Sequence, residues 1–108
     1  MNQTDLRAFL SEGADLPRTT TLFRETGLRT LLLHLKRGET VPQHQTRGAI
    51  TVHCLRGEAH FFAGDQPVKL TPALLISLPP ATPHSVTADQ DTLLLVTVSE
   101  QTPASPAA

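Results

Sequence analysis

Short apolar runs separated by turn residues fill most of this chain. Each run is four to eight residues long and the spacing is regular, which is typical of an all-β sandwich or barrel. The predicted strands are Thr19–Arg24, Leu28–Leu35, Thr40–His44, Ala49–Leu55, Glu58–Phe62, Pro67–Leu70, Leu74–Leu78, His84–Thr87 and Thr92–Val98. The breaks between them are rich in Gly, Pro and Asp, the residues that turns require.

The residues before the first strand predict one short helix. Thr4 to Leu10 places Leu6, Phe9 and Leu10 on one face, with Thr4 as the N-cap. The pattern divides the chain into an N-terminal helix and lead-in (1–17), a barrel (18–99) and a flexible tail (100–108), because the Pro- and Ala-rich tail has little to bury.

Several strands are apolar on consecutive residues rather than on alternate ones, as in Leu31-Leu32-Leu33 and Leu93-Leu94-Leu95. A strand that is buried on one face only would alternate. We therefore expect one face to fill the barrel and the other to pack against a second sheet or subunit. Together with the family resemblance described below, this pattern favours a homodimer, since small β domains cover such faces and edges.

Composition narrows the function classes. Nine basic and ten acidic residues give a net charge of −1, with no basic stripe, and Trp and Tyr are absent. Nucleic acid is therefore not expected as a partner. The chain shows no apolar run long enough for a membrane helix, no secretory signal and only one cysteine, so a cytoplasmic location is expected.

Two histidines at strand ends are the main candidates for chemistry. His44 follows Gly38 in a segment that Gly57 closes, and His84 follows Pro79 in the segment LPPATPHSV. These segments resemble the paired motifs of the cupin superfamily. The first motif reads glycine, five residues, His-x-His, three or four residues, Glu, six residues, glycine. The second reads glycine, five residues, Pro-x-Gly, two residues, His, three residues, Asn.

The resemblance implies a small, RmlC-like jelly-roll barrel of about nine strands that dimerises through its sheets. It also implies a divalent metal (Fe, Mn, Ni or Zn) on three histidines and a glutamate. Here His44 and His84 occupy ligand positions, whereas Thr46 and Ile50 replace the second histidine and the glutamate. Ala73, Ala81 and Ala88 replace two glycines and the asparagine of the second motif.

Two histidines are too few for a catalytic metal site unless another residue joins them, because such sites use at least three protein ligands. His34 is the candidate third ligand if its strand register turns it inward, but an inward row of Leu31, Leu33 and Leu35 is preferred. Cys54 is a potential soft ligand, and a small buried hydrophobe is its commoner role. The other histidines, His53 and His60, are expected on outward faces.

Alternation predicts a pocket around the two histidines. The residues expected to line it are Thr46, Ile50, Val52, Cys54 and Val86. The favoured hypothesis is a binding module that holds a small molecule, or weakly a divalent metal, near His44 and His84. The alternatives are a metal-dependent enzyme of dioxygenase or isomerase type and a structural or regulatory dimer. An inert histidine pair also remains open at this point.

Overall fold

The computed structural model describes residues 1–11 and 15–100, and within them nine strands follow one short helix. The strands are β1 (Thr19–Glu25), β2 (Leu28–Leu35), β3 (Thr40–His44), β4 (Ile50–Arg56), β5 (Ala59–Ala63), β6 (Gln66–Leu70), β7 (Leu75–Leu78), β8 (His84–Ala88) and β9 (Thr92–Ser99). Every predicted strand is present, with each end within one residue of its predicted position.

Two antiparallel sheets build the molecule. The five-stranded sheet has the order β1-β2-β9-β4-β7, and the four-stranded sheet has the order β3-β8-β5-β6. Among the described residues, five of the seven strand pairings join strands that are not consecutive in sequence, as in the pairing of β2 with β9 and of β3 with β8. This arrangement is a jelly roll, which confirms the predicted fold class.

The core lies between the sheets and is almost wholly aliphatic. On β4, the alternate residues Ile50, Val52 and Cys54 are buried, as alternation predicts. On β2, Leu31 and Leu35 belong to the same core and Leu33 packs against it. The preferred inward row of β2 is therefore the observed one, and His34 lies on the opposite face of the sheet.

The outward face of the five-stranded sheet is covered in part by the chain itself. Leu93 is fully buried although it points away from the core, and it lies in register between His34 and Arg56. Arg56 donates hydrogen bonds to the carbonyls of Leu10 and Ser11, so the N-terminal segment lies against this row. Apolarity on both strand faces thus has an explanation within one chain. A homodimer stays a prediction.

The N-terminal helix is shorter than predicted. It is a single 3-10 turn, Leu6–Phe9, and its N-cap is Asp5 rather than Thr4. The Asp5 carboxylate accepts the backbone N–H of Arg7 and also pairs with the Arg7 guanidinium. Because none of the turn's residues is buried, no tertiary packing supports a longer helix.

The 3-10 turn is the one helix among residues 1–11 and 15–100, and it is far too short to cross a membrane. The predicted flexible tail lies, apart from Glu100, outside the described residues.

Candidate functional site

A cavity of about 200 Å³ opens between the two sheets. It is lined mainly by aliphatic side chains from both sheets, with a few polar groups among them. The lining residues are Thr19, Arg29, Leu31, Leu33, Val41, His44, Thr46, Ile50, Val52, Phe61, His84, Val86, Leu94, Val96 and Val98. An apolar chamber with a small number of polar groups is the usual character of a small-molecule site.

Four of the five residues that were predicted to line the pocket do so: Thr46, Ile50, Val52 and Val86. Cys54 has the right strand face but lies deeper in the core, with no exposed surface. Its thiol faces the backbone carbonyls of Arg56 and Gly57 at 3.6 and 3.8 Å. Burial raises the pKa of the Cys54 thiol, so this side chain is a packing residue rather than a nucleophile or thiolate ligand.

His44 and His84 meet at the cavity, where they are directly opposite each other on β3 and β8. An irregularity in β3 between Val41 and His44 sets this register. The ring centroids are 4.3 Å apart and the ring planes are inclined by 61°. His84 also stacks on Phe61, with centroids 5.6 Å apart. His84 is buried and His44 is exposed, so the pair extends from the interior to the surface.

Backbone carbonyls fix the tautomers of both histidines. Nδ1 of His84 lies 2.8 Å from the Thr82 carbonyl oxygen, and Nδ1 of His44 lies 3.0 Å from that of Pro42. A carbonyl oxygen can only accept, so each Nδ1 carries the proton. In the neutral rings, Nε2 therefore keeps its lone pair, which can accept a hydrogen bond, take a proton or bind a metal.

Burial lowers the pKa of the His84 imidazole below its ordinary value of 6.5. The hydrogen bond to the Thr82 carbonyl opposes this change, and the neighbouring His44 ring adds to it. His84 is thus neutral at pH 7 and presents an acceptor nitrogen to the cavity.

The lowered pKa predicts a pH dependence of stability. The unfolded chain takes up the proton on His84 more readily than the folded chain does. The stabilising effect is therefore complete above about pH 6.5 and is lost as the pH falls toward the folded-state pKa. In urea titrations with EDTA present, His84→Gln should lose less stability than wild type between about pH 8 and pH 5.5. Equal losses would contradict the assignment.

His34 lies away from this pair, on the outward face of β2. Its side chain is 4% exposed, Nε2 is 3.0 Å from Asp91 Oδ2, and Nδ1 is 3.3 Å from the Leu16 carbonyl oxygen. Both ring nitrogens are thus engaged outside the cavity. His34 is therefore not a third ligand beside His44 and His84. The strand register explains why: Leu31 and Leu33 line the cavity, so His34, between Leu33 and Leu35, must face the other way.

The donor set does not suit a tightly held metal. In residues 1–11 and 15–100, no group of three His, Cys, Asp or Glu side chains is arranged to hold an ion. The Thr46 hydroxyl donates to the Gly48 carbonyl at 2.9 Å, and Ile50 has no donor atom. His44 and His84 have the tautomer that metal ligands use, but two imidazoles are fewer than the three protein ligands of a catalytic site.

The remaining histidines lie where alternation places them. His60 is exposed and pairs with Asp89 at 2.6 Å, and His53 is half-buried on the outward face of β4.

The sequence pattern did not predict that Arg29 lines the cavity. This residue lies near one end of β2 and shares a strand face with Leu31 and Leu33. That shared alternation was the available signal. A charged residue at the end of an apolar row is more often solvated, so the pattern alone did not single it out.

Comparison with solved structures identifies the architecture. Protein TT1209 from Thermus thermophilus matches with a TM-score of 0.77 at 24% identity, over 92% of this chain and 97% of that protein. An RmlC-like cupin from Shewanella frigidimarina matches with a TM-score of 0.73 at 19% identity, over 95% and 97% of the two chains. A cupin superfamily protein from Desulfitobacterium hafniense matches with a TM-score of 0.74 at 20% identity, over 77% and 76%.

The chain has the cupin fold. No family model matches its sequence, and no curated protein matches it either. Because these structural neighbours are at most 24% identical to this chain, the similarity establishes the fold and not the function. The His44–His84 pair lies at the cavity between the two sheets, and we therefore argue function from that cavity.

Proposed function

We propose that this cupin is a binding module that holds a small, largely apolar organic molecule between its two sheets, without a tightly bound metal. The observation that carries the proposal is the pairing of an aliphatic chamber with His84, whose Nε2 is an acceptor and whose ring is held by Phe61 and the Thr82 carbonyl. A ligand would gain from burying apolar surface and from one directed hydrogen bond.

The size of the cavity limits the ligand. A closed apolar cavity of about 150 Å³ in another protein holds a benzene molecule. The cavity here has about 200 Å³, which suits a single ring or a short branched chain with one or two substituents. Oligosaccharides, nucleotides and peptides are too large to enter it entirely.

The two histidines would have different tasks. His84 is buried and neutral, so it would accept a hydrogen bond from a hydroxyl or amine of the ligand. His44 is exposed, and its ring stands against His84 at the cavity mouth. It would shield the bound group from water and limit the orientation of the His84 ring.

Phenol is a suitable probe because it combines a single apolar ring with a hydroxyl donor. We expect phenol to shift the methyl NMR signals of Leu31, Val52 and Leu94, all of which line the cavity. A dissociation constant of about 1 mM corresponds to roughly 0.6 kcal/mol per non-hydrogen atom of this small ligand, within the usual range. Val52→Phe, which fills the cavity, should abolish the shifts, whereas Leu75→Phe on the exposed surface should not.

Two results would contradict this proposal. In the first, phenol leaves the cavity methyl groups unchanged up to saturation of the solution. In the second, tag-free protein carries about one Fe, Mn, Ni or Zn per chain, and His44→Ala and His84→Ala both lose it. The second result would favour the alternative, a metal-dependent enzyme of dioxygenase or isomerase type. That alternative draws on the two unprotonated Nε2 atoms that β3 and β8 bring together.

A further inference from the structure

Arg29 lies where the apolar cavity meets a second, more polar cleft. This cleft has a volume of about 280 Å³ and shares Arg29, Thr46 and Val98 with the cavity. Its other lining residues are Arg47, Gly48, Ser99 and Glu100. A ligand whose apolar part occupies the cavity could therefore extend a polar end into the cleft, and that end would lie beside the Arg29 side chain.

The Arg29 guanidinium has unused hydrogen-bonding capacity. Its Nε is shielded from solvent and has no hydrogen-bond partner among residues 1–11 and 15–100. The contact to Glu100 Oε2 is 3.8 Å long, beyond hydrogen-bond distance. The Arg29 side chain as a whole is 32% exposed, so a ligand in the cleft would supply an acceptor to the exposed N–H groups of the guanidinium rather than to the shielded Nε.

The surroundings of Arg29 favour one kind of acceptor. A guanidinium presents parallel N–H groups that match a planar carboxylate at two points. Arg47 adds a second positive charge at the cleft, while Glu100 is its one carboxylate among the described lining residues. That negative charge disfavours a doubly charged group such as a phosphate monoester. A singly charged, planar anion fits both the charge and the shape.

We infer that the ligand is a small carboxylic acid, with its apolar body in the barrel and its carboxylate on Arg29. This inference rests on the proposed binding function and adds the chemical class of the ligand. It makes Arg29 a specificity-determining residue in addition to the histidine pair.

Benzoate and benzamide test the inference, because they have nearly the same shape and differ in charge. We expect wild type to bind benzoate about tenfold more tightly than benzamide, as followed by the methyl signals of the cavity residues. Arg29→Gln should reduce the ratio of benzoate to benzamide affinity to about one. Arg24→Gln is the matched control: Arg24 is opposite Arg29 on β1 and lies 3.9 Å from Glu100, but it does not line the cavity.

The outcomes separate the inference from the proposed function. If benzoate and benzamide bind equally, or if Arg29→Gln keeps the preference, the inference is overturned while phenol binding still supports the function. If phenol, benzoate and benzamide all fail to shift the cavity signals, both are overturned. A preference that Arg24→Gln removes as completely as Arg29→Gln would reflect general surface charge, and it would also overturn the inference.

Discussion

Replacing Gly57 with alanine is expected to destabilise the protein by about 4 kcal/mol or more, a large share of the stability of an ordinary domain. Gly57 has φ +90° in the turn between β4 and β5. An added Cβ would press on the Asp91 carbonyl oxygen and lie 2.7 Å from Thr92 Cα. Both are backbone atoms where the loop before β9 enters that strand, so no side-chain rotation can relieve the contact.

The matched control is Gly38→Ala. Gly38 has φ +85°, nearly that of Gly57, but an added Cβ there would meet nothing within 4 Å. This variant should show only the cost of a left-handed alanine, about 1–2 kcal/mol. Urea denaturation followed by circular dichroism measures both changes. Equal effects in the two variants would mean that backbone conformation, and not the close approach of β9, makes glycine necessary at position 57.

The strands were predictable because their ends carry local signals. Gly27, Gly38, Gly57 and Gly64 all adopt positive φ, and each lies in a break between runs that the sequence shows directly. The inward row of β4 follows from alternation alone, since Ile50, Val52 and Cys54 are the apolar positions of one face. Such features depend on a few neighbouring residues, and the sequence pattern therefore contains them.

The site was predictable only in part. The motif spacing indicated that His44 and His84 would meet, and they do. The roles of Cys54 and His34 depended on depth and register, which a one-residue shift would have changed. His34 contacts Asp91, which is 57 positions away along the chain, and no local sequence pattern predicts such a contact. Arg29 required knowledge of how the two sheets enclose the cavity.

Asp91 joins three distant parts of the chain, and its removal is expected to have the second large effect. Its carboxylate lies 2.7 Å from Arg56 Nη2 and 3.0 Å from His34 Nε2. Arg56 in turn donates to the carbonyls of Leu10 and Ser11, which hold the N-terminal segment against the five-stranded sheet. Burial alone would raise the pKa of Asp91, but the hydrogen bonds from His34 and Arg56 outweigh it, and the net pKa is lowered.

Asp91→Ala should therefore lower the free energy of unfolding by about 1–3 kcal/mol: the Asp91 carboxylate is itself half-exposed, but its loss leaves the mostly buried Arg56 and His34 without their acceptor. The lowered pKa of Asp91 means that its contribution is present above about pH 4 and is lost as the pH falls further. The N-terminal segment should also loosen, so trypsin should cleave after Arg18 about tenfold faster than in wild type.

Asp89→Ala provides the comparison. Asp89 lies two positions before Asp91 and pairs with His60 on the surface. The His60 and Asp89 side chains are 46% and 35% exposed. A surface pair of this kind contributes at most about 1 kcal/mol. Asp89→Ala should therefore be cleaved like wild type and lose little stability in urea. If Asp91→Ala behaved in the same way, the carboxylate would not be what fastens the N-terminal segment, and the contacts of Arg56 with the backbone carbonyls would suffice. The difference between two aspartates in one short loop thus isolates the effect of a buried partner from that of charge alone.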